Sequence, residues 1–391
     1  MIRMRVYLDH NATTPVDPRV ADAMHDAVRG CFGNASSIHA FGQAAKAALD
    51  DARSAVAGLL GARPNDVIFT GSGTEADNLA IRGVAEAALP AGRRHLIASA
   101  IEHEAVLNTL KALAKRGWTS TLLPAGLAGV VDPADLEAAI TDRTAIVSVM
   151  HANNEIGTLQ PIAKLADIAH RHGALFHTDA VQTAGKLPVD VTALGVDLLS
   201  ISGHKFNGPK GVGALWVRRG TRLVAPLTGG RQERNRRAGT ENVPAIVGLG
   251  VAAGLAAGKL AGEATRLGSL RDRLEAGLLE RVPDSTANGS GERVPNTTNI
   301  SFPGVEAEAL LIALDLEGVA VSTGSACSSG TLEPSHVLRA MGLTPRRAQS
   351  SIRFSLGLGN TDADVERVLD VLPPLVAKLR ALSRTRAHAH A

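Results

Sequence analysis

Residues 197–215 read D-L-L-S-I-S-G-H-K-F-N-G-P-K-G-V-G-A-L. The apolar run Asp197–Ile201 stops at Ser202 and Gly203, and two titratable side chains, His204 and Lys205, come next before Gly and Pro turn the chain. A short run that is apolar on both faces and closed by turn residues reads as a strand buried inside a parallel sheet. Ligand sites in such sheets gather just past the carboxyl ends of the strands. A lone lysine there most often lays its stem along the sheet edge and keeps its ammonium in water. Withdrawn from water, the same amine has a lowered pKa and becomes a nucleophile suited to imine formation.

The pattern repeats upstream. Val67–Thr70, His95–Ser99, Ala145–Met150, Ala174–His177 and Gly213–Val217 are short, apolar and bounded by turn or polar residues. Helical patterns lie between them at Glu75–Ala88, Glu104–Arg116, Pro133–Ile140 and Ile162–His172. Strands alternating with helices predict an α/β fold, a mostly parallel sheet covered on both faces. Two more strand ends carry polar groups. In V-I-F-T-G-S-G-T-E-A-D-N-L-A (67–80) a Gly/Ser turn opens a helix near Thr74, which aims free N–H groups and the positive end of a helix dipole at the turn. The plainer reading is a βα turn capped by Ser72 or Thr74. In A-L-F-H-T-D-A-V-Q (174–182) the strand delivers Asp179, which either caps the next helix or meets a buried cation, with Gln182 close behind. Each feature has an ordinary structural explanation. Together, a phosphate cradle, a carboxylate for a protonated ring nitrogen and an imine-forming lysine are the three anchors of pyridoxal phosphate.

Past about residue 260 the character changes. A charged helix, Glu263–Arg281, leads into the Pro/Gly/Ser/Asn stretch 282–296 and new strands at Thr298–Phe302 and Ser351–Ser355. The expected organisation is a large domain over 15–260, a smaller α+β domain from 1–14 and 261–380, and a flexible tail over 381–391. Of the 391 residues 45% are apolar and 3% aromatic, at a net charge of +3. That supports a sizeable core and argues against base-stacking nucleic-acid binding. The N-terminus lacks the apolar core of a signal peptide and no long uncharged apolar run is present, so neither secretion nor a membrane span is expected. The two cysteines, Cys31 and Cys327, are too far apart for a disulfide or metal-site pattern, which fits a reducing, cytoplasmic setting. Arg218, Arg219, Arg222, Arg231, Arg234, Arg236 and Arg237 read as a solvated basic surface, with docking of an acidic acceptor protein second. Cys327 lies in V-S-T-G-S-A-C-S-S-G (321–330), without the bulky neighbours of a packed thiol.

The runs S-G-H-K (202–205) and G-P-K-G (208–211), H-T-D-A-V-Q (177–182), Y-L-D-H-N-A-T-T-P (7–15), M-H-A-N-N-E-I-G-T-L-Q-P (150–161), S-T-G-S-A-C-S-S-G (322–330) and E-P-S-H-V-L-R-A-M-G (333–342) closely resemble the cysteine desulfurases. These are pyridoxal-phosphate enzymes of the class V aminotransferase superfamily. The resemblance is strongest to the housekeeping and nitrogen-fixation group that supplies sulfur for iron–sulfur clusters. It implies the type I pyridoxal-phosphate fold, with a seven-stranded, mostly parallel sheet. It also implies conversion of L-cysteine to L-alanine through ketimine and quinonoid intermediates, the sulfur passing to Cys327 as a persulfide. The alternative on the same fold is a selenocysteine lyase or a transaminase-like enzyme.

Residue roles come from the same likeness. Lys205 would form the imine, Asp179 would hold the pyridine nitrogen and Gln182 the ring phenolate, while His103 would stack on the ring and move protons. Asn154 would lie against cofactor and substrate. Gly73, Thr74, Ser202 and His204 would bind the phosphate, with Thr240 reaching it from the partner of an obligate homodimer. Arg353 would clamp the substrate carboxylate, which its planar fork fits. The Cys327 loop, about 321–335, would be long and mobile, delivering sulfur to an iron–sulfur scaffold or another acceptor protein, with a transient cluster near Cys327 among the implied arrangements. No nucleic acid, membrane or metal site is expected. The turn G-S-G-T-E departs from the S-G-A-T-E of many relatives but keeps small residues and Thr74.

Overall fold

The computed structural model describes residues 5–324 and 334–389, with side chains described to Ser383. Its strands in chain order are Val6–Tyr7 (β1), Val67–Thr70 (β2), His95–Ser99 (β3), Thr119–Leu123 (β4), Thr144–Ser148 (β5), Leu175–Asp179 (β6), Leu198–Ser202 (β7), Gly213–Val217 (β8), Thr286–Ala287 (β9), Thr297–Ser301 (β10), Val319–Ala320 (β11) and Ser351–Ser355 (β12). Seven of them form one sheet in the order β2-β8-β7-β6-β5-β3-β4. Only β8 runs against its neighbours, β2 and β7. The carboxyl ends of β2, β3, β5, β6 and β7 therefore share one edge, and every expected cofactor group near the sheet leaves from it.

The central strands are buried throughout, which is why their sequences show no alternation. The strand β4, T-S-T-L-L, is not among the runs that the sequence marks. It is an edge strand, largely exposed, and its small polar residues carry little apolar signal. The charged helix expected over Glu263–Arg281 is the second half of one 39-residue helix, Val243–Arg281. By length and composition it is the one helix among the described residues able to cross a membrane. Its first half belongs instead to the core, with Val243, Ile246, Leu249 and Ala253 buried. A Cβ on Gly250 would come within 2.5 Å of the Ala52 Cα, so glycine sets how closely this helix approaches Ala40–Leu59.

A second apolar cluster gathers Val6, Leu8, Leu270, Leu274, Ile300, Phe302, Leu310, Ile352, Phe354 and Leu372. It covers the sheet β12-β10-β9 and the pair β1-β11. The start of the chain is thus built into structure made from its last third. The last helix runs Asp362–Ala389, so the backbone is helical over 381–389, where an irregular tail is expected from the sequence.

Candidate active site

A cavity of about 360 Å³ opens at the shared strand edge. Its lining includes Gly73, Thr74, His103, Asn154, Asp179, Gln182, Ser202, His204, Lys205 and Arg353, residues spread over 281 positions of sequence, from 73 to 353. Thr240 is exposed and outside this lining. Cys327 lies outside the described residues, while Ser322 and Gly324, just before it, reach the cavity wall.

At one end the 16-residue helix Gly73–Ala88 begins, with Ser72 as its N-cap accepting from the Glu75 amide. Ser72 thus caps the helix as the plainer reading has it, and Thr74 lines the cavity. A Cβ on Gly73 would meet Val181 Cγ2 at 2.9 Å and Ser202 Cβ at 3.2 Å, so only glycine lets the helix start settle against the ends of β6 and β7. The turn is braced from outside. Arg237 Nε donates to Glu75 Oε1 at 2.8 Å, and Glu75 Oε2 accepts from the Gly71 amide at 2.8 Å. The arginine group is therefore not simply a solvated surface. Arg237 is committed to this turn, Arg234 to Asn65, and Arg218 to the carbonyls of Gly195 and Val196.

Asp179 closes β6, its Oδ1 accepting from the Val181 amide at 2.8 Å. Burial raises its pKa, opposed by that bond and by His103 and Lys205. Asp77, buried beside it, is raised well above the carboxylate range by burial and by Asp179 itself, and its Oδ1 has no hydrogen-bond partner. Of two carboxyls sharing a low-dielectric site, the one nearer positive charge stays ionised. The Lys205 ammonium, which pulls the Asp179 pKa down, makes that one Asp179. His103 is also the N-cap of Glu104–Ala114, its Nδ1 accepting from the Ala105 amide at 3.1 Å, so Nε2 is the nitrogen that can exchange a proton.

Lys205 Nζ donates to the carbonyls of Asn11 at 2.6 Å and Ala12 at 2.9 Å. Burial and the nearby Arg353 push its pKa down to about 8, against the pull of Asp179 and Asp9. Its amine is thus held by two carbonyls at the cavity wall. His204 is pushed down to about 4 by burial and by Lys205, Lys210 and Lys186, so it is neutral at physiological pH, with Nδ1 3.2 Å from Thr13 Oγ1.

Arg353 sits on β12 with its side chain buried. Nη2 donates to Asp9 Oδ1 at 2.6 Å and Nη1 to the Asn154 carbonyl at 3.1 Å, while Nε has no partner. A buried guanidinium that spends two of its five N–H groups and leaves Nε unpartnered is suited to a second carboxylate.

Three contributors escape a reading of the sequence. Asn11 is the hub: its carbonyl receives Lys205 and Gln182, and its Nδ2 holds the Asn154 carbonyl at 3.0 Å. Lys186 and Asp77 are the others, and both lie inside quoted or adjoining motifs, at the places their chemistry makes expensive to bury.

The lining fits pyridoxal phosphate. A cradle that a Cβ would fill faces a helix N-terminus, a buried carboxylate lies at the end of β6, and an amine whose pKa is lowered to about 8 stands past β7.

The aminotransferase class-V family model matches residues 6–368. The chain is 50% identical over 383 residues to the cysteine desulfurase IscS of Dictyoglomus turgidum, covering 98% of this chain and 97% of that protein. Among solved structures it resembles a NifS-like protein at a TM-score of 0.89 and 38% identity, over 96% of this chain and 100% of that one. It also resembles SspA in complex with cysteine at 0.80 and 36%, over 90% and 99% respectively. The protein therefore belongs to the class-V aminotransferases and, within them, to the pyridoxal-phosphate-dependent cysteine desulfurases.

Proposed function

We propose that the cavity converts L-cysteine to L-alanine with Lys205, Asp179 and Arg353 as its principal groups and Cys327 as the first sulfur acceptor. The observation that carries this reading is the convergence of the Lys205 amine, the buried Asp179 carboxylate and the buried Arg353 guanidinium on one cavity. When bound, pyridoxal phosphate supplies the electron-withdrawing ring that makes loss of the cysteine α-proton, and then Cβ–S cleavage, feasible. Asp179 would keep the ring nitrogen protonated, and Gln182 would donate to the ring oxygen. Gly73, Thr74, Ser202 and neutral His204 would hold the phosphate. Arg353 takes the substrate carboxylate in its fork while Asn154 flanks it, which orients the α-proton toward Lys205 Nζ. The free amine accepts that proton, and His103 Nε2 exchanges a proton with the arriving thiol.

In the transfer, Cys327 Sγ as thiolate forms the new S–S bond and the substrate Cβ–S bond breaks. The electron pair stays with carbon, which takes up a proton as the methyl group of alanine. The alternatives on this fold, selenocysteine lysis and transamination, gain no support from the relatives. Transamination also has no use for Cys327.

The remaining parts of the reading rest on surfaces. A homodimer in which Thr240 reaches the partner's phosphate site is supported by the exposure of Thr240 and by the exposed apolar group Val28, Phe32, Ile38 and Phe41, with the rings of Phe32 and Phe41 5.1 Å apart. The division into 15–260 against 1–14 with 261–380 is supported by two large apolar clusters, one within Val20–Ala253 and one from Val6, Leu8 and Leu267–Val376, while a smaller cluster joins Ile101 and Ile156 to Val337 and Leu338 across the boundary. An iron–sulfur scaffold in the cytoplasm is the acceptor this reading favours. The test is Cys327→Ala: alanine release and sulfide delivery without added thiol should collapse, and a normal rate sinks the role of Cys327. Lys205→Ala should abolish the visible absorption of the bound cofactor, and its survival would displace Lys205 as the anchor.

A further inference from the structure

The turn after β6 brings a second lysine to the back of the site. Lys186 is half-buried, and its Nζ donates to Gln182 Oε1 at 2.8 Å and to Asn11 Oδ1 at 3.2 Å. The cavity does not include it, and neither sequence motif nor reaction assigns it a task.

We propose that Lys186 is a positioning residue that fixes the Gln182 amide so that its N–H, rather than its oxygen, faces the cofactor ring. This rests on the reading of Gln182 as the donor to the ring oxygen.

The reasoning is one of donors and acceptors. A glutamine amide has an accepting end and a donating end of nearly equal size, and its neighbours decide which way it points. Lysine carries N–H donors; beside it, the amide turns its oxygen inward. The Asn11 carbonyl can only accept, and it takes one Nε2 hydrogen of Gln182 at 3.1 Å. The two neighbours agree, and the second Nε2 hydrogen is left for the cavity that Gln182 lines. Burial, Lys205 and Arg353 together lower the Lys186 pKa well below its ordinary value. A neutral amine keeps two N–H groups, enough for both acceptors, and the Asn11 carbonyl, which can only accept, holds the amide in the same orientation. A donor pressing on Oε1 also polarises the amide and strengthens its N–H as a donor. The same lysine secures the Asn11 side chain, whose backbone carbonyl holds Lys205 Nζ at 2.6 Å. One side chain thereby ties the ring contact to the catalytic amine.

The experiment compares holoenzymes of wild type, Gln182→Ala, Lys186→Met and the double variant. It reads the visible absorption maximum of the bound cofactor at one pH and the equilibrium Kd for pyridoxal phosphate. The expectation is that Gln182→Ala and Lys186→Met move the band in the same direction and each weaken cofactor binding about tenfold, the loss of one hydrogen bond to a charged group. The double variant should be no worse than the worse single. Lys186→Arg, also a pure donor, should keep the wild-type band. If Gln182→Ala leaves the band unchanged, the reading of Gln182 itself is wrong and the proposal falls with it. If Gln182→Ala moves the band and Lys186→Met does not, or if the two effects simply add, Lys186 does not act through Gln182 and the proposal is overturned while the ring contact stands. Should Lys186→Met not fold, Lys186→Gln, which can offer either end to Gln182, is read by the same criteria.

Discussion

The pKa of Lys205 gives the most direct handle on this site. Its amine is pushed from the ordinary 10.5 down to about 8. The two carbonyls that accept its hydrogens favour the charged form, so burial and the Arg353 charge must outweigh them. At pH 7 an amine of pKa about 8 is roughly 9% unprotonated, against about 0.03% at the ordinary value, a gain of about 300-fold in nucleophile. Cofactor capture by the cofactor-free enzyme consumes that free base. Its rate, monitored by visible absorption after mixing with pyridoxal phosphate and corrected with Lys205→Ala, should rise about tenfold per pH unit up to about pH 7 and level off near pH 8. Arg353→Leu removes a charge that lowers this pKa, so its profile should level off at higher pH. A wild-type profile still climbing steeply past pH 9 would refute the claim that the cavity deprotonates Lys205.

Other perturbations of the same structure have equally definite outcomes. Asp179→Asn deletes the charge facing His103 and Lys205 and should lower kcat by about 10²-fold, from roughly 3 kcal/mol of lost pairing, with the fold intact by circular dichroism; a change under threefold would remove Asp179 from the ring contact. Glu233 is buried against Arg53 in a two-pronged ion pair, at 2.7 and 2.8 Å, with its backbone at φ +44°. Glu233→Gln should cost about 3–5 kcal/mol in denaturant unfolding, and Arg53→Met with Glu233→Leu should recover most of it; equal stability of the single variant and wild type would contradict this. Glu102, whose Oε1 accepts from Ser99 and the Met150 amide, is raised to about 8 by burial. Because the folded form holds its proton longer than the unfolded chain, its contribution is present at low pH and is lost as pH rises from about 4.5 through about 8. Glu102→Gln should therefore gain stability relative to wild type between pH 5 and pH 8, and unfolding midpoints that move in parallel would show that Glu102 does not titrate there.

The sheet is legible in the sequence because buried parallel strands announce themselves as short unbroken apolar runs, and the anchors are legible because each comes directly after such a run. Asp179 and Lys205 need only the strand ends and the cost of burying charge. What sequence does not reveal is the partner of each group. Asn11 is an amide in a polar segment, and nothing local says that its carbonyl will meet Lys205, 194 positions later. Edge strand β4 is hidden for the opposite reason: with one neighbour and an exposed face, it needs few apolar residues. The arginines mislead because charge alone does not distinguish a solvated guanidinium from one hydrogen-bonded to carbonyls and carboxylates.

The pairing of β1 with β11 sets an order in time. The chain has completed the seven-stranded sheet by Val217, long before Val319 and Ala320 exist to receive Val6 and Tyr7. Asn11 is fixed through its backbone amide to Ser355, later still. During synthesis, the nascent sheet carries Lys205 while the segment that holds its carbonyl acceptors, Asn11 and Ala12, is still unanchored, and the guanidinium of Arg353 has yet to be made. The grip on the substrate carboxylate is thus a property that arrives with the final tenth of the protein, and a chain that stops short of β12 lacks both Arg353 and the Ser355 hydroxyl that fixes Asn11.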